Sequence, residues 1–284
     1  MQHFFIQIRF KILGYMTGRY YWLLQLRIDQ MNTPIGKYNS LNATNKMLKT
    51  IGEKPLGTAF LAFRDMSKII SKHIKGINAL DFGCGAGRSS KMLKNCGLKV
   101  TGVDISSKMI DQAIKTSKDI NYILLEKNCF KKIEGKYDLI LISFVLMEVP
   151  SKQEIVILIK KLSNFLSESG KMIFIVASND LYTKNWLSIE TSSYSNTNKN
   201  SGDIVRVYLK DYQVTIDDYF WKESDCEEVF TESDMLILEK LKPLGIPSDG
   251  KNWVDECLYA PFAIYILSKQ YKIHSEVDSE IHSK

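Results

Sequence analysis

Cysteine is scarce and irregularly placed. Cys84, Cys96, Cys129, Cys226 and Cys257 make an odd set of five with no CxxC pair. That argues against a disulfide frame or a cysteine zinc site, and it fits a reducing, cytoplasmic setting. Histidine is rarer still: His3, His73, His274 and His282 all lie away from the stretches that carry the other signals, so no metal is expected. No apolar run approaches the roughly 18 residues that cross a bilayer. The longest candidate, Leu258–Leu267, contains Pro261 and reads as a buried strand, so no stable membrane span is expected.

Excess charge is also modest. Lys and Arg number 38 against 32 Asp and Glu, a net of +6. Half of that excess lies in residues 1–30, where Arg9, Lys11, Arg19 and Arg27 face only Asp29. The remaining lysines are scattered singly over predicted helix faces, where solvation explains them, and no basic-aromatic stripe suggests nucleic acid.

What is present suits a folded α/β enzyme-sized unit. The 284 residues are 45% hydrophobic and 25% charged, enough for one large domain with an inserted or appended subdomain. Residues 1–40 form an extension with three readings. It is an amphipathic helix packed on the domain, a membrane-surface helix, or translated upstream sequence with initiation at Met31. The polar start Met31–Tyr38 favours the first or the last, and whether residues 1–30 belong to the mature protein stays open.

Helical spacing runs through 41–75, with Leu41, Met47, Leu48 and Ile51 before Gly52 and Pro55, and Phe60, Leu61, Phe63, Met66, Ile69 and Ile70 after them. Strands are then predicted over Ile77–Phe82, Lys99–Asp104, Tyr122–Leu125, Tyr137–Ser143 and Met172–Ala177. Helices over Ser89–Asn95, Ser107–Lys115 and Glu154–Leu166 separate them. This alternation implies a parallel sheet covered on both faces. It stops after Ala177. Residues 179–222 read as a lid, containing a hairpin of Val205–Leu209 and Gln213–Tyr219. Met235–Leu241 and Leu258–Leu267 read as two final strands paired antiparallel at a sheet edge. The main domain is 41–271, and 272–284 is a polar tail.

The sharpest signal is Leu80-Asp81-Phe82-Gly83-Cys84-Gly85-Ala86-Gly87-Arg88, between a predicted strand and a predicted helix. Glycines let the backbone bend tightly and approach a ligand, and the helix start offers unpaired N–H groups. The spacing is GxGxG, not the GxGxxG of the nicotinamide fingerprint. Asp81 before the bend repels a pyrophosphate and attracts the ammonium of an amino acid. Asp104, about 20 residues on, is placed to accept from ribose hydroxyls, and Ile105 to pack on adenine.

These residues resemble class I S-adenosylmethionine (SAM)-dependent methyltransferases: Leu80–Gly87 resembles their first motif, and Val103-Asp104-Ile105-Ser106 their acidic second-strand motif. Asn128-Cys129-Phe130 before Lys136–Ile140, and Ser143–Val149, extend the likeness more weakly. The resemblance implies a Rossmann-like, seven-stranded, mostly parallel sheet with an antiparallel last strand, helices on both faces and the lid inserted after strand 5. It also implies SAM as cofactor, S-adenosylhomocysteine as product and a small-molecule acceptor as partner. The SAM contacts it implies are Asp81, Gly83, Cys84, Gly85, Gly87, Asp104, Ile105, Asn128, Cys129 and Ser143. The family commonly has Asp where Asn128 stands, and often His where Glu148 stands. A carboxylate at Glu148 turns the catalytic expectation from a histidine base toward an amine acceptor, so N-methylation is favoured over O-methylation.

The lid is rich in aromatics. Tyr182, Trp186, Tyr219 and Trp221, with Trp253 beyond it, are candidates to enclose a flat or cationic acceptor, and Glu256 is a further candidate or a surface charge. Nucleic-acid methylation lacks its usual signatures: no Asn-Pro-Pro-Tyr or Asp-Pro-Pro-Tyr follows the fourth strand, and no Pro-Cys occurs. Two rival readings keep the fold and change the role: a non-catalytic SAM-fold regulatory subunit, and a nicotinamide-dependent oxidoreductase. The acceptor and the oligomeric state are not encoded legibly.

Overall fold

The apolar runs of the sequence become the strands of one sheet. The computed structural model describes residues 57–125 and 130–270. The readings for residues 1–56, for Asn128 and Cys129, and for the tail lie outside the described residues. Helices α1 (Phe60–Phe63) and α2 (Met66–His73) lead into β1 (Asn78–Phe82), α3 (Arg88–Asn95), β2 (Lys99–Asp104), α4 (Ser107–Thr116), β3 (Asn121–Leu124), β4 (Tyr137–Ser143), α5 (Lys152–Ser163) and β5 (Leu166–Ala177). Then follow β6 (Ile189–Glu190), β7 (Ile204–Leu209), β8 (Val214–Tyr219), α6 (Glu223–Glu232), β9 (Met235–Leu241) and β10 (Phe262–Lys269).

The seven-stranded sheet has the order β3-β2-β1-β4-β5-β10-β9. Strands β1 to β5 pair in parallel, and β10 is antiparallel to both neighbours. The chain goes outward from β1 to β3, then returns to β4 on the other side. That reversal opens a crevice at the carboxyl ends of β1 and β4, where open α/β sheets bind ligands.

Two cores flank the sheet. On one face, Ala79, Leu139, Leu141, Ile173 and Ile175 pack with Ile69 and Ile70 of α2 and Leu93 of α3. On the other, Leu80, Ile140, Ile142 and Phe174 pack with Ile155, Ile159 and Leu162 of α5 and Phe230 of α6. Leu139–Ile142 are fully buried, because a central parallel strand is covered on both sides. Each such side chain contributes about 1.5–3 kcal/mol of transfer free energy. Ser106 and Ser151 cap α4 and α5 by accepting from the Met109 and Glu154 amides, as their residue types predispose.

The lid is a small antiparallel sheet, β6-β7-β8. Its inner residues Val205, Val207 and Ile216 join the α2–α3 core. Lys210–Gln213 close the hairpin between Leu209 and Val214.

Three predicted boundaries move. The helix expected to reach Leu166 stops at Ser163, and β5 begins at Leu166, with a register shift between its Tyr137 and Leu139 pairings. The last strand begins at Phe262, not Leu258: Leu258 is 74% exposed, and Pro261 supplies no N–H for pairing. Helix α6 was not expected, although Cys226, Val229 and Phe230 carry its buried stripe at helical spacing.

Candidate functional site

The glycine bend joins β1 to α3 at the crevice. Both the Gly83 and Cys84 amides donate to the Val103 carbonyl, at 2.8 and 3.0 Å, and the Gly87 amide donates to the Cys84 carbonyl at 3.0 Å. Gly83 has φ +75°, and a Cβ there would stand 2.4 Å from Val145 Cγ2. The turn after β4 therefore presses on the bend, and only glycine permits it. Gly87, at φ +87°, is likewise closed in by the Tyr122 hydroxyl. Gly85 differs: beyond its Cα lies open space, on the side a ligand needs.

Asp81 ends up wholly buried. Its Oδ2 accepts from Ser89 Oγ at 2.7 Å and from Ser90 Oγ at 2.6 Å, both on the first turn of α3. Its Oδ1 is buried without a hydrogen-bond partner. Burial pushes this carboxyl up to about 6, against the opposing pull of the two serines. An orphaned acceptor of this kind is satisfied by a donor on a bound molecule or by water.

Asp104, the last residue of β2, accepts from the Gly85 amide through Oδ2 and from the Ser106 amide through Oδ1, both at 2.8 Å. Burial raises its pKa, with those amides opposing. Each oxygen keeps a second lone pair for a further donor. Ile105 follows with 47% of its surface exposed at the rim. Ser143 ends β4, buried, and Phe144 after it takes a left-handed φ of 62°. Cys84 is buried, and its thiol is pushed well above its ordinary value by burial first, which leaves it a packing residue rather than a nucleophile.

Glu148 closes the short 3-10 turn Leu146–Glu148 after β4, and β8 of the lid packs on that turn. The Tyr182 hydroxyl donates to Asp218 Oδ2 at 3.0 Å and lies 3.4 Å from Met147 Sδ. Burial first, then the Asp218 and Glu148 carboxylates, hold that hydroxyl protonated far above the ordinary tyrosine range. Asp218 and Glu148 thus bracket Tyr182 electrostatically, and Asp218 had not been singled out in the sequence.

The aromatic candidates divide. Tyr182 and Trp186 are fully buried in the α2–α3 core, and the Trp186 indole N–H donates to the Leu181 carbonyl at 2.6 Å. Trp221 is buried in the other core and donates to the Val149 carbonyl at 3.2 Å. Tyr219 packs against that same core. Trp253 stacks over Gly245 and donates to Asp249 Oδ2 at 3.1 Å. Tyr182, Trp186, Tyr219 and Trp221 thus pack into or against the two cores of the sheet, and Trp253 packs in the loop before β10 beside Phe60 of α1. Glu256 is no surface charge: it is fully buried, accepting from Thr58 Oγ1, the Leu187 amide and the Val254 amide, each at 2.8 Å. It knits the start of the described chain to the lid and to the loop before β10. Among the described residues, no group of three His, Cys, Asp or Glu side chains is placed to hold a metal ion, and no helix is long and apolar enough to cross a membrane.

Sheet order, crevice, glycine bend and terminal acid of β2 together define the class I SAM-dependent methyltransferase fold, and SAM is the cofactor this fold accommodates. Residues 79–170 match the family model described as a methyltransferase domain. Over 105 residues the chain is 33% identical to a ubiquinone biosynthesis O-methyltransferase of Coxiella burnetii, an alignment spanning 36% of this chain and 44% of that relative. The chain thus spans less than half the length of the curated relatives it first matches. Among solved structures it resembles a SAM-dependent methyltransferase from Clostridium acetobutylicum, with TM-score 0.54, 18% identity, and coverage of 75% of this chain and 92% of that one. It also resembles the magnesium protoporphyrin IX methyltransferase of Synechocystis, solved with bound SAM, with TM-score 0.53, 15% identity, and coverage of 83% and 95%.

Proposed function

We propose that this protein transfers a methyl group from SAM to a small-molecule acceptor held under the β6–β8 lid. The observation that carries the reading is the pairing of a buried, half-satisfied Asp81 with an Asp104 tied to the glycine bend. SAM, when bound, supplies a methyl group made electrophilic by a positive sulfur. On this reading Asp81 and the bend hold the amino-acid end of SAM, Asp104 takes the ribose hydroxyls through its spare lone pairs, and Ile105 covers one face of the adenine. Asn128 and Cys129 complete the adenine side as the family resemblance implies.

For a methyl transfer the protein's own task is alignment and exclusion of water. The lid packs on the turn after β4 and so roofs the crevice. The Glu148 carboxylate, in the turn on which the lid packs, favours an amine acceptor: it attracts the cationic form and takes its proton, so that the nitrogen lone pair attacks the methyl carbon as S-adenosylhomocysteine leaves. The opposite reading, O-methylation, is favoured by the name of the Coxiella relative. Labelled-SAM transfer assays against matched panels of amines and phenols test the two. Turnover of phenols alone sinks the amine reading, and failure of the purified protein to bind SAM at millimolar concentration sinks both. The reading includes a reducing, cytoplasmic setting, which the odd count and irregular spacing of the five cysteines in the sequence support.

A further inference from the structure

Among the described residues, four that are not glycine hold a left-handed φ: Phe144, Asn198, Gln213 and Asp234. The last three are exposed in turns, and Asn and Asp tolerate that region well. Phenylalanine does not, because its Cβ crowds the carbonyl that follows. Phe144 also stands elsewhere, directly after β4, where the crevice opens. Its amide is held there by the Ile175 carbonyl at 2.9 Å. Bulky residues in such a conformation gather at working sites, kept in place by the packing around them.

That packing is aromatic. The Phe144 ring meets Phe63 of α1 nearly at right angles, with centroids 6.0 Å apart and planes at 85°. It meets Phe262, at the start of β10, at 5.1 Å and 60°. Phe262 is buried, whereas Phe63 and Phe144 keep part of their surface open. The turn that follows is sided in the same way: Leu146 and Val149 are buried, and Val145, Met147 and Glu148 are half-buried. Val145 presses on Gly83 of the bend, so Phe144 is the immediate neighbour of a residue in contact with the cofactor side. Phe63, Phe144 and Met147 all pack on the α2–α3 core, the core that takes Tyr182 and Trp186 out of the crevice. The lid rings expected to enclose an acceptor are thus spent on packing, and the open aromatic surface beside the bend belongs to Phe63 and Phe144.

We propose that Phe63 and Phe144 form the wall on which the acceptor rests, and that the acceptor is an amine carried on a flat aromatic ring, with its nitrogen toward Glu148. Two rings at right angles make a corner: a flat ring stacks offset on one and meets the edge of the other. A saturated ring of the same size gains the buried area alone. The Met147 thioether adds a polarizable contact for the ring. Glu148 closes the same turn four residues after Phe144. In the transfer the ammonium gives a proton to Glu148, the nitrogen–methyl bond forms, and the methyl–sulfur bond breaks to release S-adenosylhomocysteine. The wall supplies alignment for that attack and no chemistry of its own.

This inference rests on the methyltransferase reading, and the test separates the two. Labelled-SAM transfer by the full chain compares 2-phenylethylamine with 2-cyclohexylethylamine, which share the amine and carbon skeleton and differ in the aromaticity of the ring. Wild type is expected to favour the aromatic amine by a few-fold to about tenfold in kcat/KM. Phe144→Gly removes the ring and suits the left-handed backbone. It is expected to raise KM for 2-phenylethylamine by about tenfold or more, to erase the preference, and to leave calorimetric SAM affinity nearly unchanged. Phe63→Leu keeps bulk without the ring and is expected to shrink the preference; it carries the comparison where the glycine variant fails to fold. A ring that serves packing alone would affect both amines alike. Equal effects on the two amines, no preference in wild type, or SAM binding with transfer to neither amine overturns the proposal. A wild type that does not bind SAM overturns the methyltransferase reading itself.

Discussion

Gly85 donates its amide N–H to Asp104 Oδ2 at 2.8 Å, so the acid at the end of β2 is fastened to the middle of the glycine bend. Asp104 therefore has two tasks that substitutions separate. Asp104→Asn keeps an acceptor for Gly85 and loses charge; Asp104→Ala loses both. The alanine variant is expected to weaken SAM by the worth of hydrogen bonds to a charged acceptor, about 1.5–3 kcal/mol, and the asparagine variant by less. Calorimetric titration reads both, and an alanine variant with wild-type affinity removes Asp104 from the ribose.

Asp81 is expected to set opposite pH dependences for folding and for binding. Its carboxyl rises from 3.8 to about 6 on folding, by burial. A raised pKa means the folded chain binds the proton more tightly, so this residue's stabilising contribution is full below about pH 4 and is lost as pH climbs through 6. The loss is about 3 kcal/mol at most. Asp81→Asn keeps an oxygen for Ser89 and Ser90 without the charge. Thermal melts of the ligand-free protein should place the variant above wild type at pH 8, with the gap gone at pH 4. SAM affinity should move the other way, falling in wild type below pH 6 and being weaker in the variant at pH 8. Melting curves that stay parallel across that range refute the buried-charge account.

The Rossmann-like frame was legible because local signals and burial agree in it. Leu139–Ile142 is an unbroken apolar run, and it is the middle of a central strand buried on both faces. Asp81 and Asp104 were legible because motif spacing fixes them on neighbouring strands. For the lid aromatics, composition says that Trp186 and Tyr182 are large and apolar but not which way they face, and the structure buries both in the α2–α3 core. Asp218 was hidden, and Glu256 left between candidate and surface charge, for the converse reason: a carboxylate looks solvent-bound in sequence, and only tertiary contacts reveal the Tyr182 hydroxyl on Asp218 or the three donors that make the burial of Glu256 tolerable. The Phe63–Phe144 ring pair joins α1 to the turn after β4, and no periodicity reports such a contact.

The buried pair of Tyr182 and Asp218 should be non-additive. Tyr182→Phe removes from the buried Asp218 carboxylate the hydroxyl 3.0 Å away, and losing a hydrogen bond to a charged group costs about 1.5–3 kcal/mol. Asp218→Asn lowers the penalty by removing the charge. The double variant is therefore expected to be more stable than the sum of the single losses, by at least 0.5 kcal/mol in a denaturant double-mutant cycle. Strict additivity would show that the bond contributes nothing beyond packing.

Glu148 tests the acceptor side without touching the cofactor side. It closes the turn after β4, and its charge reaches Tyr182, whereas the bend and Asp104 are organised by other partners. Glu148→Gln keeps the shape and removes the charge. It is expected to leave SAM affinity within twofold and to lower methyl transfer about tenfold or more, in line with the loss of one charged contact of about 1.5–3 kcal/mol. The loss should be larger for a cationic amine than for a phenol, because a neutral phenol can hydrogen-bond to the carboxylate but is not drawn to it by charge. Wild-type turnover with every acceptor would return Glu148 to a structural role in the turn. A matched loss in SAM affinity would place its effect on the cofactor instead.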